Sequence, residues 1–232
     1  MTMTQSPVIE SQSGTPANMD TVRQRGSIAG MVMIAGAVTM LVGAAAYGSA
    51  GADFWSGIDG GDVPGLLADA AASASTLYLT FSVWLCGALL LGVGGVLAAR
   101  HGTVASPASE AVFAIGAAVA VVAFVTMASV VRLAAAGGSA EIADAIGFVG
   151  IRLDDIATVL LVAFGPVLLT LAGRGDWMPR WLTLWTAVAG VAGFISVVGI
   201  FTGGGTTYGI AVVPIGIGWT LAAGIVLVRR GT

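Results

Sequence analysis

The sequence predicts an all-α membrane protein, a bundle of six transmembrane helices. Of its 232 residues, 57% are hydrophobic and only 9% are charged, whereas about 25% of a soluble domain is charged. Long charge-free segments recur, each near the roughly 20 residues that a helix needs to cross a bilayer. These segments lack the alternating polar residues of a membrane β-barrel. Helices, which satisfy their own backbone groups, therefore remain as the way to cross the lipid.

The chain begins with a polar segment. Residues 1–24 are rich in Ser, Thr, Gln and Pro, which predicts a disordered cytoplasmic tail. The apolar segment Gly26–Ala52 follows, and it is longer than the ~7–15-residue core of a secretory signal. We therefore interpret it as an uncleaved first span, and we expect residues 25–230 to form the transmembrane domain.

Five charge-free segments define the spans. The last, Trp181–Val228, has room for two spans, and the glycines and threonines of Gly203–Thr207 predict a turn between them. The predicted spans are about 27–47, 77–98, 112–132, 154–173, 181–201 and 209–228. Residues from about 63 to 75 are expected to form a short helix on the outer surface.

The arginines predict the orientation. Seven of the nine basic residues fall on one side of the predicted bundle, and Arg132 and Arg152 fall on the other. Arginine and lysine are enriched in cytoplasmic loops, so both termini are predicted to be cytoplasmic. The chain uses arginine and no lysine, which is typical of a GC-rich bacterial genome, so we expect a multi-pass protein of the bacterial plasma (inner) membrane.

Several chemistries are not expected. Cys86 is the only cysteine and His101 the only histidine, which excludes an intrachain disulfide and a cysteine-cluster or multi-histidine metal site. The sequence has no basic patch of the kind that nucleic-acid binding requires, so we expect no nucleic acid as a partner. We predict no catalytic, cofactor or metal site, and hence no enzyme. No ionisable residue falls at the midplane of a predicted span, where proton-coupled transporters usually carry one.

One polar cluster is the candidate site, and it consists of Arg132, Arg152, Asp154 and Asp155. Arg152 and Asp155 are three residues apart, so they share a helix face and are expected to pair. Arg132 ends span three where span four begins, and we expect it to pair with Asp154 or Asp155 at the outer boundary. The cluster is either a structural ion pair that ties the two spans together or an outward-facing vestibule.

Two loop motifs resemble binding sites but are interpreted as ordinary turns or loops. Arg174–Asp176 spells the adhesion tripeptide RGD, but we predict a tight cytoplasmic turn, with Pro179 starting the next helix. Asp59–Asp62, with two glycines between its acids, lacks the ligand spacing of an EF-hand and is interpreted as a solvated acidic loop.

Small residues and prolines mark special helix contacts. Gly26–Gly30 and Gly95–Ala99 have the spacing of close helix packing, inside the bundle or between subunits. Pro166 and Pro214 predict kinks within their spans.

Aromatic residues gather at both ends of the spans. Membrane anchoring at the interface is the expected role of these side chains: Trp177, Trp181 and Trp185 at the inner end, and Phe54, Trp55 and Tyr78 at the outer end.

The second half of the chain resembles a known family. The segment 156–195, with its Arg-containing turn and its helix start Pro179-Arg180-Trp181-Leu182, resembles an uncharacterised family of six-span bacterial integral membrane proteins, a domain of unknown function. The stretch RQRGSIAG before span one is similar to that family's basic entry. The resemblance implies a six-span architecture and no activity, so it assigns no functional residue.

Two functions follow as hypotheses. The first is a non-enzymatic membrane protein, with the lipid bilayer around it, that acts through helix packing with itself or with a membrane partner. The second is a small-solute or lipid transporter that uses the outer polar cluster as a vestibule. A cavity that reaches the midplane would favour transport, whereas a solid bundle with an exposed face of small residues would favour assembly.

Overall fold

The protein is helical throughout the residues that the computed structural model describes, which are 16–101, 106–202 and 205–231. No strand occurs in these ranges, where Arg174 and Met178 form an isolated bridge. The helices are α1 Pro16–Ala50, α2 Phe54–Asp59, α3 Val63–Ala72, α4 Ala74–Ala99, α5 Pro107–Ala135, α6 Ala140–Val159, α7 Gly165–Gly173, α8 Arg180–Thr202 and α9 Gly205–Gly231. A π-helical turn, Leu160–Phe164, joins α6 to α7 without a break.

Six helices are long and apolar enough to cross a membrane, which confirms the all-α, multi-pass fold. These spans are Arg23–Ala50, Ala74–Ala99, Pro107–Ala135, Ala140–Gly173, Arg180–Thr202 and Ala211–Gly231. The predicted short helix between the first two spans is confirmed as α3. Residues 1–15 of the predicted tail lie outside the described residues, and α1 already begins at Pro16, a residue that suits the first turn of a helix.

The fourth span differs most from its predicted bounds. It was expected at 154–173, but the helix begins at Ala140, directly after a turn in which Gly137 has a φ of +66°. The added segment is helical because its small and apolar residues recur every three or four positions and pack inward, as Ala143, Gly147 and Gly150 do. Asp154 and Asp155 consequently lie near the middle of a 34-residue helix rather than at its start.

Glycines allow close contacts inside the bundle. A Cβ atom at Gly30 of α1 would overlap the backbone carbonyl of Gly224 in α9, and one at Gly95 of α4 would overlap the ring of Phe113 in α5. The structure therefore uses both small-residue motifs between helices of one chain, the first of the two alternatives that the sequence left open.

The π-helical turn accommodates Pro166. Proline has no N–H to donate to the carbonyl four residues earlier, that of Val162, and the wide turn Leu160–Phe164 ends two positions before Pro166. A Cβ atom at Gly216 of α9 would overlap that same carbonyl oxygen. At Pro166, where a kink is predicted, the helix is thus locally widened and α9 packs closely against it. Pro214, the other proline, lies inside the helix α9.

The two ends of the bundle carry opposite charges. One end, here called the arginine end, holds Arg23, Arg25, Arg100, Arg174, Arg180, Arg229 and Arg230. The other, the acidic end, holds Asp53, Asp59, Asp62, Asp69, Glu141 and Asp144.

The RGD segment is confirmed as a tight turn at the arginine end. The carbonyl of Gly173 accepts hydrogen bonds from the backbone N–H groups of Asp176 and Met178, both at 3.1 Å. Gly175 has a φ of +86°, a conformation that a glycine adopts without strain. Helix α8 begins directly after Pro179.

Candidate functional site

A cavity of about 350 Å³ lies between the helices on the side of the acidic end. This volume is in the range of sites that hold small molecules. Its wall combines aromatic, acidic and aliphatic side chains from seven helices: Tyr47, Trp55, Trp84 and Phe124; Asp53, Asp154 and Asp155; and aliphatic residues including Met40, Val159, Ile200 and Ile217.

The cavity reaches the middle of the bundle. A separate small cavity of about 30 Å³ shares the lining residues Asp154 and Thr158 with the first and is also lined by Ala88 and Ala120, which lie near the centres of α4 and α5. Asp154 therefore lies near mid-length of the helices that surround it. The sequence predicts both carboxylates at the outer start of the fourth span, whereas the structure places them near the middle of its helix, because α6 already begins at Ala140.

Asp155 is held by neighbouring donors. Arg152 Nη1 donates to Asp155 Oδ2 at 2.9 Å, which is the pair that the sequence predicts. The other guanidinium nitrogen, Nη2, pairs with Asp59 of α2, and the indole Nε1 of Trp55 donates to Asp155 Oδ1 at 3.4 Å. The Arg152 guanidinium also lies 5.1 Å from the ring centre of Phe148. Asp155 thus anchors α2 to α6.

Arg132 takes no part in this cluster. Its side chain is exposed and makes no ion pair within the part of the chain that the structure describes. Its neighbours Val130, Val131 and Ala134 form the buried face of α5, and at 100° per residue Arg132 falls on the outer side. The predicted pairing of Arg132 with Asp154 or Asp155 is therefore wrong.

Asp154 has an environment opposite to that of Asp155. Asp154 is partly buried and lines both cavities. Over residues 23–101, 106–202 and 211–231, it forms no ion pair or hydrogen bond, and its electrostatic neighbours are Asp155 and the phenol of Tyr47. One helix position separates two carboxylates, of which Asp155 is bound to its neighbours and Asp154 faces the cavity.

Three residues expected to anchor the protein at the interface lie inside it, and one of them, Trp177 at the arginine end, is buried. Phe54 is fully buried and Trp55 lines the cavity, because α2 folds back over the bundle. Asp53 caps α2 and accepts hydrogen bonds from the backbone N–H groups of Trp55 and Ser56 at 3.1 and 3.3 Å. The sequence signal was present, since an Asp that precedes a short helix is a preferred cap.

The aromatic side chains of the cavity form a continuous wall. The ring centre of Tyr47 is 5.8 Å from that of Trp55 and 5.1 Å from that of Trp84, and Trp84 lies 5.7 Å from Phe124. The Tyr47 hydroxyl accepts a hydrogen bond from the backbone N–H of Phe54 at 2.7 Å, and the indole of Trp84 donates to the carbonyl of Met40 at 3.2 Å. These bonds fix the orientation of the wall.

A second buried polar group lies outside the cavity and is fully bonded. The indole Nε1 of Trp219 in α9 donates to Thr186 Oγ1 of α8 at 2.6 Å. Thr186 also lies 2.7 Å from the Thr170 hydroxyl of α7. All three side chains are buried, so this threonine–tryptophan network joins three helices without leaving a group for a ligand.

His101 packs at the arginine end, beside Gly26 and 6.4 Å from the ring centre of Trp177. Burial lowers the pKa of His101, and the nearby Asp176 carboxylate opposes that shift in part. Its Nδ1 atom is buried and has no hydrogen-bond partner among the described residues. The fold therefore favours the neutral imidazole.

Comparisons with known proteins were made for families, curated proteins and solved structures, and no family model, curated protein or solved structure matches the chain. The resemblance based on Pro179–Leu182 therefore stays a prediction. Across the described residues, no three His, Cys, Asp or Glu side chains are grouped as a metal ion would need.

Proposed function

We propose that the protein is a membrane carrier that binds a small solute in the cavity beside Asp154. The observation that carries this proposal is the depth of the cavity, whose lining runs from Trp55 of α2 at the acidic end to Trp84 and Phe124, near the centres of α4 and α5. Substrate sites of secondary transporters lie near the midplane of the bilayer, between helices. Transport, the second hypothesis from the sequence, thus becomes the first.

The exposed helix faces also favour transport over a role in self-packing. Helix α8 presents large side chains to its surroundings, among them Leu184, Val191 and Phe201. Close helix association in membranes uses small residues instead. Large apolar side chains suit contact with lipid tails, so α8 gives no specific support to a role based on self-packing or a membrane partner.

The proposed orientation puts the arginine end in the cytoplasm of a bacterium and the acidic end outside the plasma membrane, in accord with the positive-inside rule. The cavity would then open toward the exterior. Alkaline phosphatase fused after Asp176 is expected to be inactive, and the same enzyme fused within residues 53–69 is expected to be active. The reverse pattern would place the cavity on the cytoplasmic side.

Cysteine accessibility tests the proposed function. Cys86 is the only native cysteine, so Cys86→Ser gives a background without thiols. Thr158→Cys then places a thiol in the cavity, at a position that also lines the adjacent small cavity. Val191→Cys is the matched control, because it lies at the centre of α8 and is 62% exposed on the outer face.

Membrane-impermeant methanethiosulfonate reagents, one cationic and one anionic, are applied to right-side-out and to inverted vesicles. A carrier exposes its site to each side in turn, so we expect Thr158→Cys to react from both sides and Val191→Cys to react from neither. Reaction from one side only would indicate a fixed vestibule. No reaction at Thr158→Cys with either reagent would contradict the proposal and favour a solid bundle.

A further inference from the structure

We propose that the solute is an organic cation, with its positive group beside Asp154 and its apolar body against the aromatic wall. This inference rests on the proposed function, since it names the class of solute for the same cavity. It follows from the charges that line the cavity, the side chains that surround them and the space between them.

The side chains that line the cavity include acidic residues and no basic residue among those that the structure describes. The three acids are Asp53, Asp154 and Asp155. Asp53 is engaged as the cap of α2, and Asp155 is engaged by Arg152. Asp154 is left as the carboxylate that a cation can neutralise.

A partly buried carboxylate without a partner is costly, because the protein removes part of its water and supplies no other partner in return. A bound cation supplies the missing partner and relieves this unfavourable free energy. The relief strengthens the binding of cations over neutral solutes. The same charge repels anions. The acidic end, with Asp59, Asp62 and Asp69 near α2 and α3, adds a negative field that attracts cations from solution.

The wall suits an organic cation better than a bare metal ion. Tyr47, Trp55, Trp84 and Phe124 offer ring faces, which attract alkylammonium groups through cation–π contacts within about 6 Å. Metal ions such as Ca²⁺ instead need six or more oxygen ligands. A volume of about 350 Å³ also leaves room for an apolar body beside the charged group.

Binding of three small probes to the purified full-length protein tests the inference by calorimetry. The probes are benzyltrimethylammonium, the neutral N,N-dimethylbenzamide and the anionic phenylmethanesulfonate. Each carries one phenyl ring, so they differ chiefly in charge. We expect the cation to bind about tenfold or more tightly than the neutral probe, as for a charged group that gains a buried partner, and we expect no binding of the anion.

Two matched variants assign the preference to Asp154. Asp154→Asn keeps the shape and removes the charge, so the cation should lose its advantage over the neutral probe. Asp69→Asn removes an exposed acid of the same end outside the cavity and should retain it. Phe124→Leu should weaken the cation by about two- to fivefold, the size of a modest cation–π contact, while the neutral probe changes less.

The outcomes separate this inference from the proposed function. Equal binding of cation and neutral probe, unchanged by Asp154→Asn, overturns the cation inference and leaves a carrier of another solute. Preference for the anion, or no binding of any probe to a protein whose Thr158→Cys reacts with thiol reagents, overturns it in the same way. No binding together with an unreactive Thr158→Cys removes both. If Asp154→Asn fails to fold, Phe124→Leu and the comparison of the three probes on the unaltered protein still decide the matter.

Discussion

A buried polar network and a partly buried carboxylate in this bundle differ in how they are bonded. The threonine–tryptophan network of Thr170, Thr186 and Trp219 has its donors and acceptors matched, whereas the carboxylate of Asp154 faces the cavity without a partner among the described residues. A matched group stabilises a helix bundle, and an unmatched one lowers its stability. The comparison indicates that the network serves the fold and that Asp154 serves a ligand.

The largest loss of stability is expected when Asp155, like Asp154, is left without a partner. Arg152→Ala removes the guanidinium that pairs with Asp155 and Asp59, where the side chains are 10 to 22% exposed. Losing one partner of a fully buried pair costs about 3–5 kcal/mol, and partial access of water reduces this to about 2 kcal/mol here. Thermal unfolding in detergent measures the loss.

Arg132→Ala is the control for that experiment, because Arg132 is exposed and lies outside the ion pairs described. Its effect should stay within about 0.5 kcal/mol. Equal losses for the two variants would show that Arg152 does not hold α2 to α6.

Thr186→Val tests how much the threonine–tryptophan network contributes to stability. Valine has nearly the same shape but cannot accept the bond from Trp219 or share one with Thr170. We expect a loss of about 1–2 kcal/mol. Thr39→Val is the control, since its hydroxyl bonds only to the carbonyl of Ala35 in its own helix. A loss no larger than that of the control would show that the network contributes nothing to stability.

Much of the fold could be predicted from the sequence, because the lengths of the charge-free segments, with the turn signal that divides the last one, give the number of spans. The error at the fourth span has a physical cause: Glu141, Asp144 and Arg152 interrupt the apolar run, yet the first two lie on the exposed side of α6 and do not end the helix. Arg132 was assigned to the wrong face because sequence position gives the depth of a residue but not its partner.

The candidate site was predictable only in part. The three-residue spacing of Arg152 and Asp155 was enough to predict their pair. The different role of Asp154 depends on side chains distant in sequence, such as Tyr47 and Phe124, that surround the cavity. No local pattern relates Trp219 to Thr186 either, because 33 positions separate them and the contact forms only when α8 and α9 pack.

The smallest expected effect concerns His101, a partly buried side chain that becomes neutral when it loses its proton. Its pKa is lowered by burial, below its ordinary value of about 6.5, so the unfolded chain binds the proton more readily than the fold does. The stability that His101 contributes is therefore full above about pH 6.5 and is lost as the pH falls below it. Unfolding measured from pH 7.5 to 5.5 should lose less stability on acidification in His101→Gln than in the unaltered protein. Identical pH dependence would show that burial does not affect this histidine.

The effect of Asp154→Asn on the stability of the empty protein tests the central claim most directly. If the Asp154 carboxylate serves to bind a ligand rather than to stabilise the fold, removal of its unpaired charge should raise the free energy of unfolding by about 1 kcal/mol. Asp155→Asn, which breaks the bond to Arg152, should lower it by a similar amount. Opposite signs for these two neighbouring carboxylates are the predicted result, and a loss of stability in Asp154→Asn equal to that in Asp155→Asn would contradict the account.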